Sequence, residues 1–214
     1  MDKKWSPQFL LLCISGAAVA AVGFYLLSDG FDTTANSLNR GSDNLFDNIG
    51  IVQIPHMTQP VEIQLEDVFG NTIRLSDFRG KIVFLNFWAS WCPTCVAEMP
   101  SMERLHGRFK DREFVMVAVN LQEAKAQVKA FVEEFKITFL TLLDSGGEVG
   151  AALAAHALPT TFVLDKDGRL IGRATGPREW DSQNSIAFFE HLILSFGAYR
   201  KDRAGSLTNH PVGG

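Results

Sequence analysis

Residues 87–100 read FWASWCPTCVAEMP: an apolar run, a tryptophan, Cys92 and Cys95 with two residues between them, then a glutamate and a proline. The overlapping stretch from Lys81, KIVFLNFWA, is almost continuously apolar, the mark of a strand covered on both faces. CPTCVAEMPSMERLHGRF then reads as a helix with Pro93 in its first turn, where a missing N–H costs nothing. Pro100 is expected to kink it. A C-x-x-C that ends a buried strand and opens a helix has a physical purpose. Helix N-termini offer unpaired N–H groups and partial positive charge, so a thiolate there is stabilised and its pKa falls below the free value of about 8.5. The first cysteine is usually the exposed nucleophile, and the second, about one turn in and shielded, resolves the mixed disulfide. Cys92 is therefore expected to attack and Cys95 to resolve, with Pro93 and Thr94 between them tuning the potential.

Outward from this stretch, VEIQLED (61–67) alternates apolar and polar residues as a half-buried strand does. Gly70-Asn71 marks a turn and TIRL the returning strand, together an N-terminal hairpin; LSDFRGK makes a turn or one helical turn. FVMVAVN is a second buried strand. EAKAQVKAFVEEF is an amphipathic helix with Val128, Phe131, Val132 and Phe135 on its apolar side. FLTLLD is a further strand, 148–156 is helical, and TTFVLDKDGRLIGRAT is two strands about Asp167-Gly168. SIAFFEHLILSF closes with an apolar-faced helix. Strand–helix alternation in the middle implies right-handed crossovers and a parallel portion, and the last hairpin implies antiparallel strands at one edge. The fold class is α/β, a mixed central sheet with helices on both faces.

The chain has 214 residues and a formal net charge of -4, which suits one domain with appendages and disfavours a nucleic-acid partner. Three cysteines are too few for a disulfide-stapled scaffold, so ordinary packing must hold the core and the pair is free for chemistry. Lys3 and Lys4 precede FLLLCISGAAVAAVGFYLL (9–27), a stretch without charge. At about 1.5 Å per residue it reaches roughly 28 Å, close to a bilayer core. The expected organisation is a cytoplasmic N-terminus over 1–8, a transmembrane anchor over 9–27, a flexible linker over 28–59, the folded domain over 60–198 and a disordered tail over 199–214. IVQIP (51–55) is a candidate short strand inside the linker. The basic flank keeps the lysines inside and exports the rest: a single-pass inner-membrane protein with its domain in the periplasm or its equivalent. A cleaved signal peptide is the rival reading, but the apolar run continues past Ala18, Ala20 and Ala21, long for such a segment. Cys13 follows the bulky Leu12, so a lipid-attachment reading gives way to a plain apolar residue.

A second signal is HALPTTFVLD, in which Pro159 precedes a strong strand. X-Pro bonds are the natural place for a cis peptide. A cis bond at Leu158-Pro159 would press the backbone against the dithiol and offer an extended substrate a strand edge. With FLNFWASWCPTCVAEMP, FVMVAVN and HALPTTFVLDKDGRLIGRATG in place, the chain resembles the membrane-anchored thioredoxin-like proteins of the TlpA/ResA/CcmG type over about residues 60–196. The resemblance implies a thioredoxin fold with an extra N-terminal hairpin, Cys92 as nucleophile, Cys95 as resolving cysteine and Pro159 as cis proline. It also implies an extracytoplasmic thiol–disulfide oxidoreductase, usually a reductase and often one acting on the haem-binding cysteines of apocytochrome c. A DsbD/CcdA-like membrane donor would re-reduce it. Trp91, Pro93, Leu158 and Pro159 form the expected substrate surface, and no cofactor or metal is called for.

One departure is informative. Cytosolic thioredoxins carry a buried aspartate where Asn86 stands, and an amide cannot deprotonate Cys95. Glu98, three residues after Cys95, lies on the neighbouring helical surface, and in ResA-like proteins the glutamate at this spacing lies in the active site. Partly buried, Glu98 should have a raised pKa and could pass a proton to or from Cys95; the bland alternative is a solvated surface glutamate. Other readings of the pair stay in view. Tetrahedral zinc lacks a second C-x-x-C, and copper would need His106 or His156 as a further ligand in a chaperone for exported oxidases. Two inert buried cysteines would explain nothing about the compartment. Thiol peroxidases want a threonine where Ala89 stands. An oxidase or isomerase shares the motif, since spacing does not set electron direction.

Overall fold

In the computed structural model, which describes residues 45–54 and 59–206, the strands are β1 (Val52–Gln53), β2 (Gln64–Asp67), β3 (Thr72–Arg74), β4 (Ile82–Trp88), β5 (Phe114–Leu121), β6 (Leu140–Asp144), β7 (Thr160–Leu164) and β8 (Leu170–Thr175). The helices are α1 (Pro93–Phe109), α2 (Lys125–Glu134), α3 (Glu148–Ala152) and α4 (Gln183–Ser206), with a 3-10 turn at Leu75–Phe78. One sheet runs in the order β1-β8-β7-β4-β5-β6-β2-β3. β4 pairs parallel with β5 and β5 parallel with β6, whereas β7, β8, β1, β2 and β3 join antiparallel. Each parallel step needs a crossover, supplied by α1 and then by α2. This is the mixed α/β sheet of a thioredoxin-like fold.

All seven residues of β4 are buried, as its apolar run requires at the sheet centre. Strand alternation divides them between two cores. Phe84 and Trp88 pack with Met102, Leu105, Phe109, Val128, Phe188 and Phe189 beneath α1, α2 and α4. Val83, Leu85 and Phe87 pack with Val117, Val119, Phe162 and Ala155 on the other side. Asn86 shares the parity of Phe84 and Trp88, so its amide is delivered under α1. That helix continues past Pro100 to Phe109, because burial of Met99, Met102, Leu105 and Phe109 outweighs one missing hydrogen bond.

Three boundaries differ from expectation. The linker reading of 28–59 does not hold over 45–54, since the compact unit begins at Leu45. Phe46, Ile49 and Ile51 are buried there, with Phe46 edge-on to Phe188 at 4.8 Å. Three well-spaced apolar anchors suffice to dock a segment that otherwise looks polar. β1 pairs with β8, so the last hairpin is covered and is not a sheet edge. Finally, α4 is helical through Ser206, past the expected domain end at 198. The anchor expected over 9–27 lies outside the described residues, as do 1–8, 28–44 and 207–214. Among the described residues no helix is long and apolar enough to cross a membrane.

Candidate active site

β4 ends at Trp88, and a tight turn through Ala89, Ser90 and Trp91 delivers the chain to α1, with the Cys92 amide donating to the Ala89 carbonyl at 3.2 Å. Cys92 is the extended N-cap of α1 and Pro93 its first helical residue. The two sulfurs are joined in a disulfide with Cα atoms 5.3 Å apart. The Cys95 amide donates to Cys92 Sγ at 3.2 Å, so one of the free N–H groups of the first turn is spent on sulfur. The same donor would hold a thiolate once the bond is reduced. Cys95 is 1% exposed and Cys92 only 5%, less open than a free nucleophile because its sulfur is turned onto the helix end. Beside them Trp91 is 65% exposed and Pro93 is exposed too.

One turn into α1, Glu98 is buried, not solvated. Its Oε1 accepts from Asn86 Nδ2 at 2.9 Å; its Oε2 accepts from Trp180 Nε1 at 2.9 Å and from the Arg178 amide at 3.2 Å. Burial pushes the Glu98 carboxyl up to about 7, against the opposing pull of those three hydrogen bonds and the Arg178 charge. A group poised there changes protonation at neutral pH. Asn86 also donates to Thr161 Oγ1 at 3.0 Å, tying the carboxylate to β7.

Leu158-Pro159 is a cis peptide. Thr160 is the register partner of Phe87, so Pro159 falls one step beyond, beside the end of β4 from which the cysteine turn departs. Pro159 is buried, and its carbonyl accepts from the Gly176 amide at 2.9 Å. Leu158 is half-buried and packs against both cores, so its side chain is not freely presented. Trp91, Cys92, Pro93, Cys95 and Glu98 thus lie in one turn and the helix it opens, with Pro159 approaching from the neighbouring strand.

Three participants escape a reading from the sequence. Trp180 and Arg178 sit in GPREWDS, a stretch without periodicity between β8 and α4, yet Trp180 is completely buried and edge-on to Phe84 at 4.7 Å. A tryptophan in an otherwise polar turn was the available signal. The third is Glu123, buried just after β5, which accepts from Ser90 N at 2.7 Å, Ser90 Oγ at 2.5 Å, Asn120 Nδ2 at 2.6 Å and Gln127 Nε2 at 2.7 Å. It fastens the turn that carries Trp91, and Gln122 before it takes a left-handed φ of 58°. Among the described residues no group of three or more His, Cys, Asp and Glu is placed to hold a metal; His156 is exposed in the loop before Pro159, and His106 lines a separate cleft of about 490 Å³ with Phe69, Met116 and Phe139. That cleft contains none of the residues around the disulfide.

Comparison with known proteins agrees with this geometry. Residues 53–188 match the Redoxin family. The chain is 40% identical over 110 residues to the thiol-disulfide oxidoreductase ResA of Bacillus thuringiensis, covering 51% of this chain and 64% of that protein. It is 44% identical over 112 residues to ResA of Geobacillus kaustophilus, covering 52% and 64%. The alignment thus spans somewhat less than two thirds of these relatives. Among solved structures, a proposed thiol:disulfide interchange protein DsbE of Chlorobium tepidum superposes with a TM-score of 0.60 at 26% identity, covering 65% of this chain and 99% of that one.

Proposed function

Because the chain belongs to the Redoxin family, we propose that it is a thiol–disulfide oxidoreductase that works as a dithiol reductase of exported protein disulfides. The observation that carries this reading is the Cys92–Cys95 disulfide at the N-terminus of α1, with the Cys95 amide on Cys92 Sγ and the buried Glu98 one turn further in. In the reduced enzyme the Cys92 thiolate attacks a substrate disulfide. A Cys92–substrate bond forms, the substrate S–S bond breaks, and the departing sulfur takes a proton. Cys95 then gives its proton to Glu98 and attacks Cys92 Sγ. The second substrate thiol leaves, the Cys92–Cys95 bond forms, and two electrons have passed to the substrate. Glu98 is suited to the proton step because it stands three residues from Cys95 on α1 and titrates near neutral pH, whereas Asn86 holds it in place but carries no proton.

The exposed Trp91 and Pro93 would supply an apolar landing surface, and the backbone just ahead of Pro159 and β7 an extended one. The apolar stretch at 9–27 would tether this domain on the extracytoplasmic side, where the haem-binding cysteines of apocytochrome c are the leading substrate and a DsbD/CcdA-like membrane protein the electron donor. Trapping tests the reading: Cys95→Ser should leave a covalent mixed disulfide between Cys92 and an exported protein, released by dithiothreitol. If Cys92→Ser traps the same adducts instead, the assigned roles of the two cysteines are wrong.

A further inference from the structure

Arg178 makes more contacts with backbone than any ordinary surface arginine needs. Its Nε donates to the Ile49 carbonyl at 2.9 Å and one terminal nitrogen to the Gly50 carbonyl at 2.6 Å. The other terminal nitrogen donates to the Gly176 carbonyl at 2.7 Å and the Thr175 carbonyl at 3.2 Å. One guanidinium therefore bridges two distant segments, the strap before β1 and the loop leaving β8. That loop turns directly onto the buried carboxylate: the amide of Arg178 and the indole of Trp180 both donate to Glu98 Oε2. Ser101 on α1 closes the arrangement, accepting from the Trp180 amide at 3.1 Å and donating to the Glu98 carbonyl at 2.7 Å. Flat, five-donor geometry is what an arginine offers and a lysine does not.

We infer that Arg178 is a positioning residue for Glu98: by clamping the loop after β8 to the 49–50 strap, it holds the Arg178 amide and the Trp180 indole on the Glu98 carboxylate. The inference rests on the proton role proposed for Glu98, yet it concerns where that carboxylate is held and can be tested apart from turnover. Among the described residues, β4 presents the neutral Asn86 to Glu98, with Thr161 of β7 behind that amide, and the loop presents Arg178 and Trp180; Cys95, three residues earlier on α1, titrates only when reduced. Both donors from the loop favour the carboxylate over the acid, so releasing them raises the Glu98 midpoint.

The test titrates the Glu98 carboxyl by isotope-edited infrared spectroscopy in the oxidised full chain, with the band assigned by its loss in Glu98→Gln. Arg178→Met should move the midpoint upward from about 7 by roughly one pH unit, and should strip hydrogen-exchange protection from the Trp180 indole. Arg178→Lys decides the cause, because it keeps the charge but cannot span four carbonyls. The clamp requires that it also shifts the midpoint upward and loses indole protection. A lysine variant with the wild-type midpoint and a protected indole would overturn the inference and leave charge alone as the effect. An unchanged midpoint in folded Arg178→Met would overturn it outright. Failure of Glu98→Gln to slow exchange would instead remove the proton role while leaving these midpoints as they are.

Discussion

At the scale of single residues, the site holds one buried carboxyl group. Glu98 is 3% exposed, and among the described residues its carboxylate accepts from an asparagine amide, an indole and a backbone N–H. Its folded pKa, about 7 against 4.5 for a free glutamate, is raised, so the folded state binds a proton that the unfolded state has released between those values. The sign follows: stability is greatest below pH 4.5 as far as this group is concerned and is lost as pH rises to about 7. The loss is on the order of 3 kcal/mol, and Glu98→Gln should abolish that part of the slope. Urea unfolding of the oxidised protein and the variant at pH 5 and pH 8 measures it. Parallel pH dependences in the two would mean that the carboxyl is solvated after all. The burial could not be read from the helix alone, because it depends on Trp180, which arrives from 82 residues later in the chain.

At the scale of elements, close approach decides what is tolerated. Gly172 in β8 lies beneath the strap: a Cβ there would stand 2.6 Å from Ile51 Cγ2 and 3.1 Å from Phe46 Cε1. Gly172→Ala should therefore overpack this contact at a cost of about 1–3 kcal/mol, and should weaken protection of the Ile54 amide, which donates to the Ile171 carbonyl. A variant with unchanged urea midpoint and unchanged exchange at Ile54 would mean the strap is not docked as described. The strands β4, β5 and β7 were legible because continuous apolar runs of that length have few other uses, and α1 because a proline and a cysteine mark its start. The strap was legible only at IVQIP, whose candidate strand is β1 (Val52–Gln53); its start was not, since Phe46 and Ile49 are scattered among Asn, Asp and Gly and show no period. For the site, the cysteines and the cis bond at Pro159 were visible as local motifs. Trp180, Arg178 and Glu123 were not, because each acts through partners brought together only by the sheet.

At the scale of the whole molecule, two remote segments converge on one helix end. The strap from 45 to 53 and the loop after β8 meet at Arg178, and the loop then supports Glu98, three residues after Cys95 on α1. On the other flank, Glu123 ties the end of β5 to the turn that presents Trp91. The cysteine pair is thus held from both sides by groups that touch neither sulfur, on a sheet whose central strand is fully buried. Such support suits the proposed cycle, in which the protein changes only its disulfide and one proton. The reading as a reductase depends on the direction of electron flow, and equilibrium potential reports that directly. The Cys92–Cys95 couple of the full chain should be titrated against glutathione and dithiothreitol at pH 7, with oxidation followed by thiol alkylation. A potential near that of thioredoxin, about -270 mV, is the expected result; a value near that of DsbA, about -120 mV, would make the protein an oxidant and contradict the account.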